Sequence, residues 1–162
     1  MIVVPAFAWK TVIDTFTTAL GIAERVAFLD GVAAGPRPAD GGVVTTVVFP
    51  QARESAGDWE VDPVEMSAAG RHLRPYGLVR LAQVHSHPTT WTGHSPTDDE
   101  RAFSHQPGTI SIVLPGHALT YPGRGDAGVH LRETDGWREL AHDEVGDYVR
   151  VVPSVIDHRR WR

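Results

Sequence analysis

The sequence predicts a single α/β domain spanning residues 1–162, of the α+β kind, with a mixed, mostly antiparallel sheet flanked by helices. Three observations carry that prediction. Segments with helical spacing alternate with short β-branched runs along the whole chain. No glycine-rich phosphate loop opens a helix, which argues against a doubly wound parallel sheet. At 162 residues, with no repeats and no low-complexity linker, the chain is long enough for one core and short for two.

The elements follow in order. Over residues 8–21, Val12, Phe16, Ala19 and Leu20 recur at helical spacing, and Gly21 is a stop. Val26 and Phe28 mark a strand that ends in the turns at Gly35 to Pro38. VVTTVVFP, 43–50, is a second strand. QARESAGDWEVDP is polar and reads as a loop leading to a short edge strand. Asp62 caps a helix that opens on Pro63 and carries Met66, Ala69 and Leu73 on one side. LVRLAQVH, 78–85, is a buried strand. SPTDDERAFSH begins a helix, TISIVLP is a strand, and GVHLRETDGWREL is a hairpin around Asp135 and Gly136. YVRVVPSVI holds a proline and is placed at a sheet edge.

Composition narrows the function. The formal net charge is −5, which argues against nucleic-acid binding by bulk electrostatics. There is no cysteine, so a disulfide framework, a thiolate zinc finger and a cysteine nucleophile are excluded together. Any metal is left to histidine and carboxylate. MIVVPAFAWK carries no positive leader, and no run approaches the ~20 apolar residues of a membrane span. The expectation is a cytoplasmic protein with neither nucleic acid nor membrane as partner.

The chemistry concentrates in AQVHSHPTTWTGHSPTDDE, residues 82–100. His85 and His87 stand two apart at the end of a strand, so they project from one face and can converge on one ion. Ser95-Pro96-Thr97-Asp98 is a helix start, with Ser95 at the cap and Asp98 beside the first-turn amides. Each feature alone also has a purely structural explanation. Together they supply two imidazoles and one carboxylate, the set catalytic zinc uses, with the fourth position left to water.

The spacing HxHx7SxxD, filled by His85, His87, Ser95 and Asp98, resembles the JAMM/MPN metalloprotease family, also called JAB domains, and the HSHP form of the pair strengthens the likeness. Upstream, Glu24 to Gly31 is similar to the family's E-x-x-G-x-L-x-G, with Ala27 where glycine is usual. The resemblance implies a cytidine-deaminase-like fold and one zinc per chain held by His85, His87 and Asp98, with a bound water as nucleophile. It also implies Glu24 as the acid/base and Ser95 as support for the oxyanion. Asp99 is the alternative carboxylate, but the family spacing selects Asp98.

Further residues are read less sharply. Trp91 is a lid, a substrate contact or an apolar plug for its loop. His94, beside Ser95, is placed to approach substrate. The remaining histidines, His72, His105, His117, His130, His142 and His158, are read as solvent-facing, and Arg159 to Arg162 as a solvated end. Strand 43–50, the following loop through Trp59 and the Trp91 loop are expected to wall a narrow groove, where a glycine-rich tail could pair with the strand.

From the resemblance, the expected activity is that of a zinc isopeptidase or peptidase, a deubiquitinase-like hydrolase. It would cut after the C-terminal tail of a ubiquitin-like protein, in deconjugation or precursor processing. Its setting would be a bacterial ubiquitin-like conjugation system, including antiphage (antiviral) defence, with activating and conjugating enzymes as further partners. Lys10 is the only lysine, which fits either a compositional bias or avoidance of lysine-directed conjugation. A sulfur-carrier-protein peptidase, and a non-catalytic binding domain of RadC-like or scaffold type, are the alternatives.

Overall fold

A computed structural model describes residues 1–18 and 20–155. Ala19, His158 and Arg159 to Arg162, named above, lie outside the described residues. Along the chain run β1 (Ile2–Pro5), α1 (Ala6–Thr17), β2 (Val26–Ala33), β3 (Gly42–Val48), β4 (Ala52–Ser55), β5 (Asp58–Val61), α2 (Pro63–Leu73), β6 (Val79–Ser86), α3 (Pro96–Arg101), β7 (Ile110–Leu114), β8 (Gly128–Arg132), β9 (Trp137–Glu139), α4 (Val145–Tyr148) and β10 (Val149–Val152). Eight strands form one sheet in the order β10-β1-β3-β2-β6-β7-β8-β9, and β4 and β5 form a separate two-stranded sheet.

The main sheet is mixed. β2 pairs antiparallel with β3 and β6, and β7 and β8 continue antiparallel through β8 and β9. β1 runs parallel to both β10 and β3, and β6 runs parallel to β7. β10 lies at a sheet edge, as expected, and stops just before Pro153. β1 went unread: Ile2–Pro5 is too short for periodicity, and Pro5, extended at φ −60° and ψ 139°, both ends it and opens α1.

The sheet's two faces bury different things. On one, Val12, Ile13 and Phe16 of α1 pack with Leu29, Val44, Val84, Ile112 and Val149, each fully buried side chain contributing roughly 1.5–3 kcal/mol. Ala27 is wholly buried in this core, so the methyl that departs from the family's glycine is packed apolar surface. On the other, Val26, Phe28 and Trp59 cluster with Met66 of α2 and Phe103. Both registers of β2 shift near Asp30, a bulge that turns Asp30 into a buried ion pair with Arg80, 3.1 Å. Gly31 has no alternative there, since a Cβ would fall 2.0 Å from the Val43 carbonyl oxygen.

Helix starts obey the sequence signals. The Asp62 side chain accepts from the Val64 amide at 2.7 Å, and Pro63 opens α2. The segment read as a loop and edge strand is instead the β4–β5 hairpin; β4 is mostly exposed, with no apolar alternation to betray it. Among the described residues no helix is long and apolar enough to cross a membrane.

Candidate metal centre

β6 delivers the histidine pair. Gln83, His85 and His87 alternate with Ala82, Val84 and Ser86, so the period of two puts all three polar side chains on one face, and all are buried. The His87 amide donates to the Leu114 carbonyl at 2.9 Å, extending the β6–β7 pairing past the strand's end. Trp59, 3 % exposed, stands behind the pair with its ring 5.6 Å from that of His85.

α3 delivers the carboxylate. The Ser95 hydroxyl accepts from the Asp98 amide at 3.1 Å, and the Ser95 amide donates back to Asp98 Oδ2 at 2.7 Å, a reciprocal capping box. The Ser95 hydroxyl also donates to Oδ2 at 2.7 Å. One carboxylate oxygen is thus fixed by the helix start, while Oδ1 faces His85 Nε2 at 3.2 Å.

His85, His87 and Asp98 form a buried group able to hold a metal ion. The Nε2 atoms of the two histidines are 3.3 Å apart, and His87 Nε2 is 3.3 Å from Asp98 Oδ2. Donors at zinc's 2.0–2.2 Å in a tetrahedron stand about 3.3–3.6 Å apart, so the histidine pair has the spacing of two ligands to one ion, and one atom from each of the three residues lies within 4.8 Å of the others. The protons agree. His87 Nδ1 lies 3.1 Å from the Trp91 carbonyl, which accepts only, so Nδ1 holds a proton and Nε2 is the nitrogen turned to Asp98 and available to an ion. Burial keeps the His85 ring neutral, pulling its pKa below the usual value. The two Nε2 atoms converge on the Asp98 carboxylate, and His85 Nδ1 is buried without a hydrogen-bond partner among the described residues. The group fits zinc.

Glu24 lies just ahead of β2, with its amide donating to the Ser55 carbonyl at 2.7 Å. Burial pushes its carboxyl up to about 7, with His87 opposing and Asp98 adding. Burial also acts to raise the Asp98 carboxyl, but hydrogen bonds from His85 and then His87 hold it far below the ordinary range.

A cleft of about 540 Å³ brings Glu24, His87, Ser95 and Asp98 together with Gly57, Asp58, Thr89 and Trp91. Trp91 is 53 % exposed and stacks on the His87 ring at 5.1 Å and 18°. No residue of strand 43–50 lines this cleft. The following loop, also expected as a wall, does line it: the β4–β5 turn contributes Gly57 and Asp58, and Arg101 of α3 reaches across to Asp58 and to the Trp59 carbonyl, 2.6 Å. Trp59 faces His85 rather than the cleft.

His94 sits behind the centre. Its Nδ1 is 2.9 Å from Asp99 Oδ1 and its Nε2 is 3.0 Å from the Ser111 hydroxyl. Its ring stacks on His130 at 4.0 Å. Burial, with His130 and His85 nearby, lowers its pKa to about 3. His130, read as solvent-facing, is buried, with Nε2 2.8 Å from the Thr92 carbonyl; His117 is buried too, whereas His72, His105 and His142 are exposed. Gln83 and Ser111 are absent from the residues that the sequence singles out. Period two from His85 marks Gln83, but Ser111 meets it only through the β6–β7 register, which no local spacing encodes.

No family model matches the chain, and no curated protein matches it. Solved structures do. The solution structure of a protein from Desulfitobacterium hafniense aligns over 100% of both chains with a TM-score of 0.71 at 22% identity. A JAB1/MPN domain protein from Archaeoglobus fulgidus aligns over 87% of this chain and 95% of its own, with a TM-score of 0.51 at 19% identity. The fold is therefore that of a JAB1/MPN domain protein, and on it the chain carries a buried His-His-Asp group that could bind a metal ion.

Proposed function

We propose that the chain is a JAMM-type zinc metalloprotease that cleaves after the C-terminal tail of a ubiquitin-like protein, in deconjugation or precursor processing. The observation that carries the reading is one cleft holding a carboxyl raised to about 7 beside the His85, His87 and Asp98 group. A bound zinc would supply a fourth position for water, lower that water's pKa towards ~7 and polarise a substrate carbonyl.

The residues divide the remaining work. Glu24, ionised at neutral pH in part, accepts a proton at its carboxylate and returns it to the departing amine, as a general base and then acid poised near the working pH. Ser95 now gives its proton to Asp98 Oδ2; turned outward, the same hydroxyl donates to the developing oxyanion while the Ser95 amide keeps Asp98 in place. Trp91 stacks on His87 and limits the ring's rotation. The hairpin turn at Gly57 and Asp58 forms the opposite wall, and Gly57 has open space around it, which suits an extended small-residue tail. A conjugation or antiphage setting, with activating and conjugating enzymes as partners, belongs to the same reading.

Matched substrates test it. A ubiquitin-like fusion ending in a small-residue tail is cut after that tail, and a free peptide with the same tail is cut poorly. Equal kcat/KM for the two would leave a general small peptidase.

A further inference from the structure

The three candidate ligands come from two elements, the end of β6 and the start of α3, joined by the loop 88–94. Their separation must be held to a few tenths of an ångström for the donor set to close. One line of hydrogen bonds behind the centre spans that same gap. The Phe103 amide donates to Gln83 Oε1 at 3.1 Å, and Gln83 Nε2 donates to the Ser111 hydroxyl at 3.3 Å. The line continues from Ser111 to His94 Nε2, 3.0 Å, and from His94 Nδ1 to Asp99 Oδ1, 2.9 Å.

Its direction is fixed at both ends. An amide N–H only donates and a carboxylate only accepts, so His94 carries its proton on Nδ1 and the Ser111 hydroxyl donates to Nε2. All the bonds then run one way, an arrangement in which neighbouring bonds strengthen each other. Gln83 is two residues from His85 on the same face of β6, and Asp99 adjoins Asp98 on α3. Ser111 is wholly buried and the His94 side chain is 5 % exposed, so although Ser111, His94 and Asp99 are spaced like a nucleophile, base and orienter, no substrate reaches the hydroxyl. Stacking on His130 and an edge contact with Trp137 at 4.9 Å hold the imidazole in this plane.

We propose that His94 is a positioning residue. Acting through Asp99 and Ser111, it sets the distance between Asp98 and the His85–His87 pair, and so the affinity and geometry of the metal centre, without touching substrate. This rests on the zinc reading above.

Cobalt(II) and zinc titrations of the apoprotein test the inference without any activity assay. His94→Phe keeps a ring to stack on His130 and removes both nitrogens. It should weaken zinc binding about 10–100-fold and change the visible absorption of the cobalt(II) form. Ser111→Ala should do the same, and the double variant should fall little further, because both break one line. Asp99→Ala alters a half-exposed side chain and serves if the buried substitutions do not fold; a loss of roughly 3–10-fold is expected there. Folded variants whose zinc affinity and cobalt(II) spectrum match wild type, with only a lowered apoprotein Tm, would overturn the positioning role. Wild-type protein that binds neither ion would overturn the zinc reading and this inference with it, a result distinct from equal binding by wild type and variants.

Discussion

The two ends of the main sheet hold cavities of similar size and opposite chemistry. At the end where β6 and β7 finish lies the cleft of about 540 Å³, with Glu24, His87, Ser95 and Asp98 in its wall. At the other end, where β7 begins and β8 finishes, Met1, Ile2, Ile110, Leu131 and Tyr148 line a larger cavity of about 660 Å³ with Arg37 and Arg132 beside them. The larger space includes none of the possible metal-ligand group found among the described residues, and its Arg37 is engaged with Asp40. Volume marks room for a ligand, whereas chemistry needs groups whose neighbours have shifted their protonation. The contrast favours the smaller cavity as the seat of the proposed reaction.

The sharpest way to break that contrast is to remove a ligand. His87→Ala should lower zinc affinity by on the order of 10³-fold or more, read by metal analysis of purified protein, and abolish hydrolysis. Equal zinc content in variant and wild type would detach the metal from this end. Next comes Glu24→Gln, expected to keep zinc and lose about 10²–10⁴-fold in kcat. A folded, zinc-loaded variant cleaving at the wild-type rate would move the base elsewhere, and Asp30, occupied by Arg80 at the bulge, would be a poor replacement.

A third effect is smaller and concerns stability. Glu24 binds its proton more tightly folded, at about 7, than at its ordinary 4.5. Ionising it therefore costs the fold stability as pH rises from 4.5 to 7, and that cost is complete above 7 and absent below 4.5. Metal-free Glu24→Gln should accordingly be more stable than metal-free wild type by about 1–3 kcal/mol at pH 8, with the gap closing below pH 4.5, as denaturant unfolding across pH would show. The least effect is expected at the far end. Arg37→Ala should leave kcat/KM within about twofold, and a larger change would mean that the apolar cavity communicates with the cleft.

How much of this was legible depended on how local the signal was. Asp62-Pro63 and Ser95-Pro96 each declare a helix start within two residues, and both helices begin there. The Gln83, His85 and His87 face follows from period two. What was missed is set by partners far along the chain. His130 looks like any polar strand residue until the loop carrying Thr92 folds over β8, where Gly128 admits it; a Cβ there would come 2.2 Å from the Thr92 carbonyl oxygen. Strand 43–50 was correctly read as a strand, yet the hairpin turn walls the cleft, because a long-range clamp from Arg101 decides which segment stands beside the ligands. The His85, His87 and Asp98 group was visible as spacing, and Glu24 came to notice through the family resemblance. Their supporting shell was not.

The capping box of α3 has one more consequence. Asp98 is at once the residue that closes the first helical turn with Ser95 and a member of the group that could bind a metal ion, so on the zinc reading a single carboxylate belongs to two equilibria. Whatever free energy loading contributes to keeping that turn wound, a wound turn contributes equally to loading, because coupling between two equilibria is reciprocal. The six residues of α3 are too few to be a stable helix alone. Their order leans on the capping box and on tertiary contacts such as the Arg101 clamp, and an ion bound at Asp98 would add to that order by the same amount that the order adds to its retention.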